Sequence, residues 1–137
     1  MLLSGLSVQV ADDEDLARFL TQSNQYSASS RVVKPAAFLP SPKSRDTSVS
    51  RHGRAPHDEL KSLGLSAAGA RPLYGAAIFK ALNVRAGGLE VESREPPLRH
   101  AVVLGWPWIE SDPDLQKAKQ KEIAALLSSA AGVPLIF

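Results

Sequence analysis

Between Arg31 and His57 the chain reads RVVKPAAFLPSPKSRDTSVSRHGRAPH, in which Lys34, Lys43, Arg45, Arg51 and Arg54 are interleaved with Pro35, Pro40, Pro42 and Pro56. A guanidinium is a planar fork of donors that fits carboxylate or phosphate oxygens, and a loop stiffened by proline has little entropy left to lose on docking. The chemistry such a pattern suits is recognition of an anion, either nucleic-acid phosphate or an acidic protein surface. The competing reading is a solvated surface loop, and the overall net charge of +2 argues against a dedicated nucleic-acid binder. That charge is unevenly laid out. Asp12, Asp13, Glu14 and Asp15 make the start acidic, the cations above make the middle basic, and the remainder is close to neutral.

Three other constellations carry chemistry. Trp106 and Trp108 flank Pro107 in GWPWIE, and a rigid aromatic pair can stack a base or a peptide proline; the same residues also serve as bulk, with Trp106 expected inside and Trp108 partly exposed. His100 precedes an apolar run, and His52 sits in the basic segment; an imidazole near its working pH can move a proton, although such residues more often hydrogen-bond a carbonyl. Ser48 or Ser50 with a histidine and Asp46 can be drawn as a triad, but no G-x-S-x-G elbow supports it. Phosphate-binding glycine motifs are absent, which excludes the nucleotide enzymes that depend on them. His52, His57 and His100 lack the spacing of a zinc helix, and cysteine is absent, so the sequence points to no metal site, no cofactor and no disulfide.

The elements that must position these groups are legible to different degrees. An apolar share of 44% beside 22% charged residues over 137 positions suits one globular domain, 1–137, with a basic proline-punctuated loop at 40–56. Leu6–Val10 alternates and predicts a short strand. The acidic residues before Leu16, Phe19 and Leu20 predict a helix across DDEDLARFL, its first turn favoured by the dipole. Residues 32–51 predict two short strands joined by a basic, proline-bounded loop, an ordered edge in which Val32 and Val33 are β-formers, Phe38 and Leu39 supply bulk for the core and Val49 faces inward. A short helix is expected from Pro56 to Gly64, and another over Ala76–Ala86. LEVES and HAVVLGW predict an antiparallel pair, with Pro96 and Pro97 outside the ladder. The longest helix begins at Asp112 and Pro113 and carries Leu115, Ala118, Ile123, Leu126, Leu127 and Ala130 as its apolar stripe. The fold class is therefore α+β: a small, mostly antiparallel sheet packed by about three to four helices, the last one amphipathic. No run of apolar residues reaches the roughly 18 needed for a membrane span, and MLLSGLSVQVADDED lacks the features of a secretory signal, so a cytoplasmic protein is expected. The closing VPLIF needs covering, by its own domain or by a second subunit in a homodimer.

The succession LARFL, VKPAAFLP, TSVSR and RHAVVLGWPW, followed by an amphipathic helix, resembles a family of small bacterial proteins over residues 16 to 130. The resemblance implies a single compact domain in a bacterial cytoplasm and carries over no activity. Its motifs pick out Arg18, Lys34, Phe38, Ser48, Arg51, His100 and Trp106. Three functions remain in view. The first is a non-enzymatic module that recognises an anionic partner through Lys34, Arg45, Arg51 and Arg54. The second is a small enzyme on a phosphorylated or nucleotide-like substrate, with Arg18, Lys34 and Arg51 holding charge and His100 or His52 moving the proton. The third is a structural homodimer subunit.

Overall fold

A chain that is apolar on both sides has no two-residue alternation, and Asp15–Leu20 is such a segment. In the computed structural model, which describes residues 2–52 and 56–137, it is a strand, β1. Leu16 and Leu20 face one side of the sheet and Ala17 and Phe19 the other, each meeting its own apolar cluster. The helix expected over Asp12–Leu20 is thereby corrected. Leu16, Phe19 and Leu20 match helical spacing only because an interior strand is buried on both faces, where the pattern cannot separate the two. Glu14 and Asp15 accordingly do not form a helical first turn. Leu6–Val10 is not a strand either; only its last residue, Val10, enters the core.

A two-stranded ribbon follows, β2 (Tyr26–Ser27) against β3 (Val32–Val33). Pro35–Phe38 then forms a short 3-10 turn that drives Ala37 and Phe38 into the core, and burying Phe38 contributes about 2–3 kcal/mol. β4 (Thr47–Arg51) comes next, and then α1 (His57–Ala68), β5 (Gly75–Lys80) and α2 (Ala81–Ala86). The hairpin β6 (Glu90–Ser93) and β7 (His100–Leu104), the helix α3 (Pro113–Ala131) and β8 (Leu135–Ile136) complete the order. Six strands make one sheet in the order β6-β7-β4-β1-β5-β8, every neighbouring pair antiparallel. Among the described residues three α-helices pack on it, so the architecture is mixed α and β with an antiparallel sheet. No helix among the described residues is long and apolar enough to cross a membrane.

Several local expectations change. β3 and β4 do not pair with each other, and β4 is an interior strand between β7 and β1. Residues 47–51 are thus not an edge. The helix expected over Ala76–Ala86 divides: Ala76, Ala77 and Phe79 are buried in β5, and only Ala81–Ala86 is helical. Gly64 does not stop α1. It lies inside the helix, where a Cβ would come within 2.9 Å of the Phe19 ring, and Gly69 at φ 60° ends the helix instead. The LEVES and HAVVLGW segments do pair, from Glu90–Leu104 to Ser93–Ala101, with Pro96 and Pro97 in the turn.

Helix α3 begins as its residues direct, with the Asp112 carboxylate accepting from the Leu115 amide at 3.1 Å and Pro113 at the first position. Its buried stripe is rotated from the apolar one. Leu115 and Leu126 are 44% and 57% exposed, whereas Ala124, Leu127 and Ser128 are buried and Gln116 and Gln120 are half-buried. The polar members of that stripe satisfy backbone groups: Gln116 accepts from Ile109 N at 2.6 Å, Gln120 donates to Pro107 O at 2.8 Å, and Ser128 donates to Val33 O. The 106–109 loop and β3 therefore fix the helix's rotation, because buried peptide groups without partners cost more than an exposed leucine. At the other end of the chain β8 lies so close to β5 that a Cβ on Gly75 would fall 2.1 Å from Leu135 O. Leu135 and Phe137 pack beside Ala17, Leu60 and Ala76, so the apolar closing segment is covered in part by its own chain.

Candidate anion site

The sheet is not uniformly closed. β5 stays in register with β1 from Asp15–Lys80 to Leu20–Gly75, but β4 meets β1 only at Leu16–Arg51 and Ala17–Ser50. Beyond that point Arg18 replaces the missing ladder. Its Nε donates to Ala37 O at 2.7 Å and its Nη1 to Ser48 O at 2.9 Å. Among the described residues no acidic side chain forms a salt bridge with it. Burial, with the charge of Arg71 added, pulls the Arg18 guanidinium down from its ordinary value of 12.5 to about 10.

Arg71 reaches the same place from the other side. After Gly69 the chain turns back, and Arg71 donates from Nε to Ala68 O at 3.1 Å and from Nη2 to Ala67 O at 3.0 Å. A cation on the carbonyl end of a helix is favoured by the helix dipole, so α1 itself holds this guanidinium in position. Between α1 and the sheet lies a pocket of about 460 Å³ lined by both arginines, within the range of small-molecule sites. Phe19, Leu63 and Leu98 supply apolar walls, and Ser48, Ser50 and His100 supply polar ones.

The register explains the polar wall. Ala17 is opposite Ser50, and Ser50 is opposite His100, so the three side chains share the α1 face in one row across β1, β4 and β7. The Ser50 hydroxyl is buried with no hydrogen-bond partner among the described residues, at 5% exposure of the residue. His100 places Nδ1 2.9 Å from Arg94 O. A carbonyl only accepts, so Nδ1 carries the proton, and in the neutral ring Nε2 is left as an acceptor.

The residues singled out from the sequence are dispersed. Arg18, Ser48 and His100 meet at this pocket. Lys34 and Lys43 are exposed. Arg45 pairs with Glu110 at 2.9 Å and lies over the half-buried Trp108 ring at 4.6 Å. Trp106 is buried at 6% exposure, its indole N–H without a partner among the described residues. Arg51 does not present its charge to a partner. It is 1% exposed, and it donates from Nε and Nη2 to the Glu14 carboxylate at 2.6 and 2.9 Å and from Nη1 to Ser7 O. The expectation that Arg51 contacts an anion from outside is therefore corrected: β4 runs through the middle of the sheet and carries this residue into the interior. His52 is half-buried beside Arg99, Glu59 and Asp15. Burial lowers its pKa against the pull of Asp15. Arg54 lies outside the described residues.

Arg71 and Phe19 are pocket residues that motif reasoning passed over, and Ser50 drew notice only as a triad candidate. For Arg71 a signal existed, a cation just past a glycine that ends a helix. No protein-family model, curated protein or solved structure matches this chain.

Proposed function

We propose that the protein binds a small organic anion in the pocket between α1 and the sheet, with Arg18 and Arg71 holding its charge. The observation that carries this reading is Arg18: a half-buried guanidinium whose two protein acceptors are neutral carbonyls, with the charge of Arg71 acting on it and no paired carboxylate among the described residues. Even partial burial of a cation without a counter-charge is unfavourable, and a carboxylate or phosphate entering the pocket would supply one. The basic segment offers less. Of its cations Arg45 is already engaged by Glu110 and Trp108, and Arg51 by Glu14. The anionic partner expected from the sequence is thus kept, but as a small molecule taken at a different set of arginines.

A second reading, a small enzyme, is favoured by one observation: His100 lines the same pocket as Arg18 with one ring nitrogen engaged by Arg94 O and the other left over. In that reading Arg18 and Arg71 hold the substrate's charge and His100 takes a proton from it.

The test is a thermal-shift titration with inorganic phosphate and with simple aryl carboxylates, on the wild-type chain and on Arg18→Met and Arg45→Ala. A ligand at one hundred times its dissociation constant adds about 2.7 kcal/mol of stability. The expected result is a rise in midpoint with at least one anion, lost in Arg18→Met and retained in Arg45→Ala. A rise that survives Arg18→Met, or the absence of any rise, would refute the proposal.

A further inference from the structure

We infer that the ligand of this pocket is a hydroxylated organic acid: a molecule with an anionic head for Arg18 and Arg71, a flat apolar body, and at its far end an O–H donor taken by Nε2 of His100. The inference rests on the anion reading above and adds the second recognition element and the shape between the two. His100 lines the pocket and turns Nδ1 to the Arg94 carbonyl, which only accepts, so the tautomer this contact selects has its free acceptor at Nε2, the nitrogen left for a ligand. A ligand that met it with a carbonyl, an ether or bare carbon would leave that lone pair unmatched, while a hydroxyl would match it.

The spacing follows from the strands. The guanidinium of Arg18 is anchored at the Ser48 carbonyl, and His100 is in register with Ser50. Ser48 and Ser50 are two residues apart along β4, roughly 7 Å. A body about one ring long matches the spacing of these two β4 positions, with its charge toward Ser48 and its donor toward Ser50. Phe19, Leu63 and Leu98 wall the space with apolar surface, which suits such a ring better than a sugar or a polyol. The Ser50 hydroxyl, without a partner among the described residues, sits beside His100 in the same row and gives that end a further polar atom.

The experiment uses the full chain and two probes of one skeleton, 4-hydroxyphenylacetate and phenylacetate, measured by titration calorimetry. The wild type is expected to bind the hydroxylated acid roughly five- to tenfold more tightly, the worth of one net hydrogen bond. In His100→Phe, which keeps a ring on β7 but no acceptor, the ratio of the two affinities is expected to fall to about one. His100→Gln, whose amide oxygen can accept, is expected to keep part of the preference, and it serves if the phenylalanine variant does not fold. In Arg18→Met both acids are expected to lose binding together. Equal affinity of the two acids for the wild type, or a preference that persists in His100→Phe, would overturn the donor inference while leaving the anion pocket standing. Failure of both acids to bind the wild type would overturn it together with the pocket reading for carboxylates.

Discussion

Replacing Arg51 should be the most damaging change available among the basic residues, and the size of the effect follows from its surroundings. The guanidinium is 1% exposed and closes a two-pronged pair with Glu14, whose side chain keeps 13% exposure, while also donating to Ser7 O. Truncation to alanine leaves a carboxylate facing the core without its cation, a loss of 3–5 kcal/mol in comparable buried pairs, and frees the Ser7 carbonyl at about 1 kcal/mol more. Glu14 still accepts from the Ala11 amide at 3.3 Å and touches water, which moderates the first figure. The expected total is about 3–4 kcal/mol, or a fall in midpoint of roughly 10–15 °C for a domain of this size. Arg45→Ala, losing an exposed pair and a contact over the half-buried Trp108 ring, should cost about 1 kcal/mol. Urea denaturation of Arg51→Ala, Glu14→Gln, Arg51→Met and the Glu14→Gln/Arg51→Met double variant is the assay. The double variant removes both charges and should recover a good part of the loss. A loss below about 1 kcal/mol in Arg51→Ala, or one no larger than that of Arg45→Ala, would show that this arginine is not built into the core, and the placement of β4 inside the sheet would fall with it.

Other outcomes test separate parts of the molecule. Gly75→Ala puts a Cβ 2.1 Å from the Leu135 carbonyl, a rigid neighbour, and should cost about 2 kcal/mol or more and loosen β8, seen as faster amide exchange at Phe137, whose N–H donates to Tyr74 O. Gly64→Ala meets the Phe19 ring at 2.9 Å but gains about 1 kcal/mol of helix propensity, so its denaturation midpoint should move far less than that of Gly75→Ala. His52, whose pKa is lowered by burial, binds its proton less readily folded than unfolded. Its contribution should therefore be full above the ordinary value of 6.5 and decline as pH falls below it, and a His52→Gln variant should flatten the stability profile over that interval. Ser128→Ala should cost about 1 kcal/mol in urea by leaving the buried Val33 carbonyl without its side-chain donor.

Much of the local order is legible residue by residue. Asp112 and Pro113 announce the start of α3, alternation in Glu90–Ser93 and the apolar run after His100 announce the hairpin, and Asp58 and Glu59 after Pro56 announce α1. These are signals between residues a few positions apart, where backbone geometry and near-neighbour hydrogen bonds decide the outcome. β1 and β5 were not legible as strands, because burial on both faces removes the alternation that marks a strand and leaves apolar spacings that a helix shares. The rotation of α3 was hidden for a related reason: Gln116, Gln120 and Ser128 face inward to satisfy peptide groups that are distant in sequence.

What the amino-acid sequence determined by itself was the class of the molecule, an α+β chain with an antiparallel sheet and a long final helix, and the presence of enough arginine to recognise an anion. Which arginines remain without a counter-charge was decided only by the tertiary structure. Arg18, Arg45 and Arg51 are alike in isolation, yet the order of the strands gives Arg51 a carboxylate, Arg45 a glutamate and a tryptophan face, and Arg18 only two carbonyls. Charge is a property of a residue, but compensation of charge belongs to a pair brought together across 37 or 65 positions of chain, and no local pattern records that meeting.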